Sequence, residues 1–322
     1  MTGTPDARLG SSTRVIAVVG PTATGKSSLA EELAVRLDGE IVSADSMQVY
    51  RRMDIGTAKV PPRARRVAYH CIDLVDPGQD FSAALYQRCA RGAIGAIADR
   101  GRVPVLVGGT GLYVRAALDD LRFPSGDTRS PVRERLERLA HDLTPQQLHA
   151  RLEACDPESA ALIHPNNVRR TVRALEMAEA GTSYAEQTAG FSARTSVYDT
   201  VFIGLDMDRA RLYERIDARV DEMLASGLVN EVAALLEAGF RDALTAAQAI
   251  GYKEFVPVIE SGADLRLAAD QVKQASRRYA KRQFTWFRSD PRVRWIDATH
   301  LTRDQLIEQA LQLVESSETT RE

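Results

Sequence analysis

The feature that most constrains this chain is an eight-residue, glycine-containing stretch near its start. It consists of Gly20, Pro21, Thr22, Ala23, Thr24, Gly25, Lys26 and Ser27, and it matches the phosphate-binding pattern G-x-x-x-x-G-K-[ST]. The apolar run Val15–Val19 before it predicts a buried strand, and leucines at every fourth residue from Leu29 predict a helix after it. Because strand, loop and helix follow in the order that the motif requires, we predict a P-loop NTPase-like α/β core with a parallel sheet flanked by helices.

The chemistry of this loop follows from its glycines, its lysine and its serine. Glycines let backbone N–H groups approach an oxyanion closely, and the N-terminus of the following helix adds a favourable partial charge. The Lys26 ammonium can reach a terminal phosphate, and the Ser27 hydroxyl can ligate Mg²⁺. We therefore expect a phosphate site here, with Ser27 as its metal ligand.

Composition argues against several classes of protein. The chain has 322 residues, enough for about two domains, and its net charge of -2 predicts no general affinity for nucleic acid. Three scattered cysteines form no C-x-x-C pair, which argues against a zinc finger or a disulfide framework and fits a cytoplasmic protein. The sequence contains no apolar run long enough to span a membrane. We expect a disordered leader at 1–13 and a disordered tail at 315–322.

Two further loops are expected at the same edge of the sheet. Asp45 directly follows a predicted strand at 40–44, and a second glycine-rich turn, Gly108–Gly111, follows a predicted strand at 102–107. Ligands of open α/β sheets bind at the carboxyl ends of the strands, so both loops should face a ligand held by the P-loop. Asp45 can serve there as a proton acceptor or help to position Mg²⁺, although an aspartate that only caps its own loop would look the same in the sequence.

The pattern changes in the middle of the chain. Between 124 and 195 we find only amphipathic helical patterns, and the β pattern returns at Val201–Leu205. We therefore predict that 14–123 and 196–314 form the α/β core and that 124–195 is a helical insertion.

A basic, aromatic-rich segment runs from Lys273 to Arg294 near the end of the core. Basic side chains interleaved with aromatic rings can bind a phosphate backbone and stack on bases. A solvated basic face that packs on its aromatic side gives the same pattern.

In combination, these stretches make the chain resemble the bacterial tRNA dimethylallyltransferases, the IPP transferase family, over nearly its whole length from Val15 to Trp295. The matching stretches, in chain order, are Gly20–Ser27, Asp45–Tyr50, Met53–Lys59, Gly108–Tyr113, His164–Asn167, Arg173–Glu176, Gly251–Tyr252 and Lys281–Trp286.

The resemblance implies a fold and a reaction. The fold is a P-loop core whose helical insertion grips the anticodon stem-loop of tRNA. The enzyme is a prenyltransferase of the EC 2.5.1 class. It moves a dimethylallyl group from dimethylallyl diphosphate to N6 of the adenosine 3′ of the anticodon and releases diphosphate.

The resemblance also implies roles for individual residues, with Mg²⁺ as the cofactor. Asp45 matches the general base, Thr110 a residue near the amine, and Lys26 a catalytic cation. From the basic segment itself, further candidate cations for the diphosphate, beside the P-loop, or for the RNA are Arg277, Lys281 and Arg282. Residues expected to contact tRNA are Asp45, Ser46, Met47, Gln48, Thr110, Arg133, Asn167, Arg169, Arg170, Arg173, Gln248, Gly251, Tyr252 and Lys253. We expect a monomer.

Other functions stay open from the residues alone. A P-loop small-molecule kinase would use Lys26 and Ser27 in the same way, and an adenylate isopentenyltransferase would prenylate free nucleotides. An RNA-binding module with a vestigial P-loop is a third alternative. The P-loop keeps all three of its final motif residues, Gly25–Ser27, which argues against a vestigial loop. The helical insertion argues against a small acceptor such as a free nucleotide.

Overall fold

The computed structural model describes residues 13–123, 130–243 and 245–319. Most of the predicted leader, 1–12, and the last three residues of the predicted tail lie outside these ranges. In the described chain the strands are β1 (Arg14–Val19), β2 (Gly39–Ser43), β3 (Tyr69–His70), β4 (Val103–Gly108), β5 (Asp199–Asp206) and β6 (Val293–Asp297).

The helices connect these strands and form the insertion. They are α1 (Lys26–Arg36), α2 (Ala83–Asp99), α3 (Gly111–Leu118), α4 (Pro131–Asp142), α5 (Pro145–Cys155), α6 (Pro157–Leu162), α7 (Val168–Glu179), α8 (Tyr184–Ser192), α9 (Arg209–Ala225), α10 (Leu228–Glu237), α11 (Val256–Ser261), α12 (Leu265–Arg288) and α13 (Arg303–Thr319). Every helix within the described ranges falls short of the length and apolarity that crossing a membrane requires.

The six strands of the described chain form one parallel sheet in the order β3-β2-β4-β1-β5-β6. This confirms the predicted α/β class with a parallel sheet. β4 lies between β1 and β2, with Val107 paired to Val18 on one side and to Ser43 on the other. The P-loop, Asp45 and the second glycine turn therefore leave three neighbouring strands at one edge, as the sequence predicted.

Local sequence signals account for several helix boundaries. Ser82 caps α2 by accepting a hydrogen bond from Leu85 N at 3.2 Å. Asp208 caps α9, and its Oδ1 accepts hydrogen bonds from Ala210 N at 2.9 Å and Arg211 N at 3.1 Å. Serine and aspartate are residue types that favour the N-cap position, and both caps satisfy backbone donors that a helix N-terminus leaves without partners.

Two segments differ from the sequence-based expectation. Residues 315–319, predicted to be part of a disordered tail, continue α13, which packs on the core through Ile307, Ala310 and Val314. The largely apolar run His70–Val75 also predicts a third strand, but the strand observed there is only Tyr69–His70, and Val75 forms an isolated bridge with Tyr50. The polar composition of residues 315–319 alone does not predict a helix. Burial of one face of α13 stabilises the helix, and these residues continue it.

The described chain divides into two compact units, Asp120–Thr195 and the remainder. The first of these units consists of α4 to α8 around its own buried apolar cluster, whose members include Leu136, Leu148, Leu152 and Val172. The larger unit buries the apolar faces of the sheet, with Ile16, Val18 and Ile203 at 1% exposure or less.

Candidate functional site

A cavity of about 920 Å³ opens over the P-loop in the larger unit. We call it the P-loop cavity; Gly25, Lys26, Ser27, Asp45 and Arg215 are among its lining residues. A second cavity of about 480 Å³, the side cavity, adjoins it. Residues that line both cavities are Thr22, Ala23, Asp45, Thr57, Arg219, Met223 and Tyr279. The two cavities therefore meet at Asp45, and a group bound in one can reach a group bound in the other.

The P-loop has the backbone that an anion site needs. Gly25 immediately precedes α1 with φ 97°, a left-handed conformation that favours glycine. Gln283 of α12 joins this loop to the second glycine turn. Its Oε1 accepts from Thr22 N at 2.8 Å, and its Nε2 donates to Gly109 O at 2.9 Å. Because Gln283 is buried, these bonds hold the two turns together at the sheet edge.

Lys26 is buried beneath the loop, where its Nζ donates to Pro21 O. Burial and, secondarily, the nearby Arg219 lower the pKa of Lys26 to about 7, although Asp45 opposes this shift. The cation is thus destabilised until an anion arrives, because a charge removed from water needs a partner of opposite sign. A phosphate oxygen in the P-loop cavity would supply that partner.

Arg219 of α9 is a second cation at the junction of the two cavities, and it is not among the site residues predicted from the sequence. It is half-buried, and its Nη1 donates to Thr22 Oγ1 at 3.2 Å. Burial lowers the pKa of Arg219, and Asp45 followed by Glu222 partly offsets this effect. Arg211, Arg215 and Arg219 recur at every fourth position of α9, which was the one sequence signal that could have identified it.

Only one of the two carboxylate oxygens of Asp45 accepts a hydrogen bond within the described part of the chain. Its Oδ1 accepts from Met47 N at 2.9 Å, which is the loop-capping contact that was the alternative interpretation of this residue. Within the described ranges, Oδ2 accepts no hydrogen bond, and the side chain lines both cavities. A carboxylate held by one oxygen and open at the other can accept a proton from a neighbouring group.

Thr110 supports this loop from the second glycine turn. Its Oγ1 accepts from Ser46 N at 3.1 Å and donates to Ser46 Oγ at 3.3 Å. Thr110 is not among the residues that line the two cavities. Its two hydrogen bonds join the second glycine turn to the loop that carries Asp45.

The structure brings most of the predicted tRNA-contacting residues of the core to the side cavity. They are Ser46, Met47, Gln248, Gly251, Tyr252 and Lys253. Gln48 lies instead at the P-loop cavity, and both ends of its amide are engaged. Its Oε1 accepts from Ser43 Oγ at 2.9 Å, and its Nε2 donates to Thr57 O at 3.1 Å.

The three cations predicted on α12 lie in different surroundings. Arg277 forms an ion pair with Asp217 at 2.6 Å and lies 5.8 Å from the centre of the Tyr213 ring. Lys281 is exposed, and neither residue lines the two cavities. Arg282 lines the side cavity, with its guanidinium 5.6 Å from the Tyr279 ring centre. Gln283 of α12 thus contacts the P-loop itself, whereas Arg282 faces the side cavity and Arg277 faces Asp217.

In the helical unit, some of the predicted tRNA-contacting arginines are paired. Glu176 accepts from Arg133 at 3.2 Å and from Arg173 at 2.6 Å. Asn167 caps α7 by accepting from the backbone of Arg170 at 3.3 Å. The Arg170 side chain is exposed, as is that of Arg169, and neither forms an ion pair with another described residue. These two are the arginines at the start of α7 that are open to an anionic partner.

Comparison with known proteins gives consistent matches. The model of the family described as IPP transferase matches residues 48–290. A tRNA dimethylallyltransferase from Streptomyces coelicolor is 49% identical over 304 residues, which cover 94% of this chain and 96% of that protein. One from Geobacillus thermodenitrificans is 48% identical over 288 residues, covering 89% and 91%.

Solved structures are similar as well. The crystal structure of the tRNA isopentenylpyrophosphate transferase from Bacillus halodurans superposes with a TM-score of 0.69 at 44% identity, covering 96% of this chain and 99% of that one. A eukaryotic dimethylallyltransferase acting on tRNA gives a TM-score of 0.82 at 29% identity, covering 97% and 81%.

Proposed function

Since the chain belongs to the IPP transferase family, we propose that it is a tRNA dimethylallyltransferase. It transfers the dimethylallyl group of dimethylallyl diphosphate to N6 of the adenosine 3′ of the anticodon and releases diphosphate. The observation that carries this proposal is the junction of two cavities at Asp45. A two-substrate transfer needs one site for an anionic donor, one for the acceptor, and a proton acceptor between them.

The donor diphosphate binds in the P-loop cavity. Backbone N–H groups of the loop, the Lys26 ammonium and the Arg219 guanidinium surround the position where negative charge grows as the carbon–oxygen bond breaks. Such preorganised donors stabilise a leaving group more in the transition state than in the ground state.

The residues present fit a Mg²⁺ ion that is held largely by its substrate. The Ser27 hydroxyl lines the P-loop cavity and is a hard oxygen donor. The described residues contain no cluster of three His, Cys, Asp or Glu that would hold a metal alone. Mg²⁺ often takes one or two protein ligands together with phosphate oxygens and waters, so this donor set is sufficient. When bound, it neutralises charge on the diphosphate.

The acceptor adenosine leaves the base stack and enters the side cavity, at a cost of a few kcal/mol. Its exocyclic nitrogen attacks the first carbon of the prenyl group, and the electron pair of the breaking carbon–oxygen bond leaves with diphosphate. Asp45 accepts the proton that the nitrogen loses. This help matters because the nitrogen lone pair is delocalised into the ring, which makes the amine a weak nucleophile.

Recognition of the rest of the tRNA is assigned to the helical unit. Arg169 and Arg170 are exposed cations there and suit the phosphates of an anticodon stem-loop. Ser46, Met47 and the 248–253 segment at the side cavity contact the flipped nucleotide. We further propose that the enzyme acts as a cytoplasmic monomer.

The test is incorporation of labelled dimethylallyl groups into unmodified tRNA in the presence of Mg²⁺. The matched control is the same transcript with guanosine in place of the single target adenosine, and ATP hydrolysis is measured in parallel. We expect label only in the adenosine transcript and no more than background ATP hydrolysis. Equal labelling of both transcripts, or phosphoryl transfer from ATP without prenyl transfer, would contradict the proposal.

A further inference from the structure

A short loop separates the two cavities. Residues Ile55 and Thr57 line the P-loop cavity, whereas Gly56 and Thr57 line the side cavity. We call residues 54–57 the partition loop. Thr57 of this loop therefore lies at the boundary of the two cavities.

One carboxylate outside both cavities holds the backbone of this loop. Glu231 of α10 accepts hydrogen bonds from three consecutive amides. These are Asp54 N at 3.0 Å, Ile55 N at 2.9 Å and Gly56 N at 3.3 Å. Successive N–H groups that converge on one anion form a nest. The negative charge of Glu231 therefore stabilises the backbone conformation in which these three amides point at it.

The same carboxylate also binds Tyr252, which lines the side cavity. The Tyr252 hydroxyl donates to Glu231 Oε1 at 2.7 Å, and the Tyr252 ring is fully buried. A side chain at Gly56 would collide with this ring, so the loop and the ring are in close contact. Glu231 thus joins the partition loop to the 248–253 segment. The backbone–backbone hydrogen bonds of the loop, by contrast, reach only residues 58 and 59.

We propose that Glu231 is a positioning residue for the transfer step. Through the partition loop it sets the spacing between the prenyl carbon in the P-loop cavity and the acceptor amine in the side cavity. The inference rests on the proposed function, since it needs a donor and an acceptor in these two cavities. Glu231 itself does not line either cavity and touches no reacting atom.

The test compares Glu231→Gln with the wild-type chain and with Glu237→Gln, an exposed position on the same helix. A glutamine accepts at one oxygen only, and its NH₂ group faces backbone donors, so the nest has fewer acceptors. We expect faster hydrogen exchange in the peptide that spans 53–58. We also expect a single-turnover rate about 10- to 100-fold below wild type at saturating substrates, because a displacement near 1 Å has effects of that size.

Binding separates positioning from a general structural role. The dissociation constants for inorganic diphosphate and for tRNA should stay within about threefold of wild type, since the P-loop and the helical unit are unchanged. Glu231→Asp keeps the carboxylate and should recover part of the rate, and it replaces Glu231→Gln if that variant does not fold. Glu237→Gln should match wild type in every measurement.

Three results would overturn the inference. They are a wild-type turnover rate in a Glu231→Gln variant with accelerated exchange, unchanged exchange at 53–58, or a rate decrease fully explained by weaker substrate binding. If wild-type protein transfers no prenyl group, the proposed function fails. The exchange measurement then still decides whether Glu231 holds the loop.

Discussion

Lys26 provides a quantitative prediction for donor binding. Its pKa of about 7 lies well below the ordinary value of 10.5, chiefly because the ammonium is buried. A bound diphosphate favours the protonated form, so binding should take up a proton wherever the free side chain is neutral. Inorganic diphosphate should therefore bind more weakly as the pH rises above 7.

The magnitude follows from the fraction of Lys26 that is protonated before binding. That fraction is about one half at pH 7 and about one hundredth at pH 9, so the dissociation constant should rise about fifty-fold, or about 2.3 kcal/mol. Titration calorimetry in buffers of different ionisation enthalpy at pH 8 should show uptake of about 0.9 proton per diphosphate bound.

Lys26→Arg is the matched control, because an arginine stays charged throughout this range. Its affinity should be nearly constant between pH 7 and pH 9, and any remaining slope measures the ionisation of the diphosphate itself. The reasoning would be refuted by a wild-type dissociation constant that changes less than about threefold, or by the same slope in both proteins. Either result would mean that the free lysine is already charged in its pocket.

Three further variants probe the remaining parts of the site. Asp45→Asn keeps an oxygen for the loop-capping bond and removes the base, so the single-turnover rate should fall about 10²- to 10⁴-fold while tRNA affinity holds; a rate near wild type would exclude Asp45 as the proton acceptor. Arg219→Ala should weaken diphosphate binding about tenfold or more because it removes a charge-assisted hydrogen bond, whereas exposed Arg211→Ala on the same helix should have little effect. Joint replacement of Arg169 and Arg170 by glutamate should weaken tRNA binding and reduce the slope of log affinity against log salt by about 0.7–0.9 for each phosphate that is no longer neutralised. An unchanged slope would show that this end of α7 does not face RNA phosphates.

The partition loop shows where sequence reasoning stopped short. Residues 53–59 matched the family pattern, but nothing in the sequence connected them to Glu231, 175 to 177 positions further along the chain. A single carboxylate on a helix is indistinguishable from a solvated one until the fold shows what it faces. The same holds for Gln283, which looks like an ordinary polar position of α12 and proves to be buried between two glycine turns.

By itself, the sequence determined the features that depend on neighbouring residues. The P-loop, the caps at Ser82 and Asp208, and the strand ends that place Asp45 and Gly108 at one sheet edge all follow from local backbone preferences and apolar periodicity. Only the tertiary structure decided which distant side chains complete the site. In that structure Arg219 of α9 lies at the junction of the cavities, whereas Arg277 of α12 forms an ion pair with Asp217. The physical reason is that composition makes a helix basic, but its packing against the sheet decides which basic side chains face the ligand.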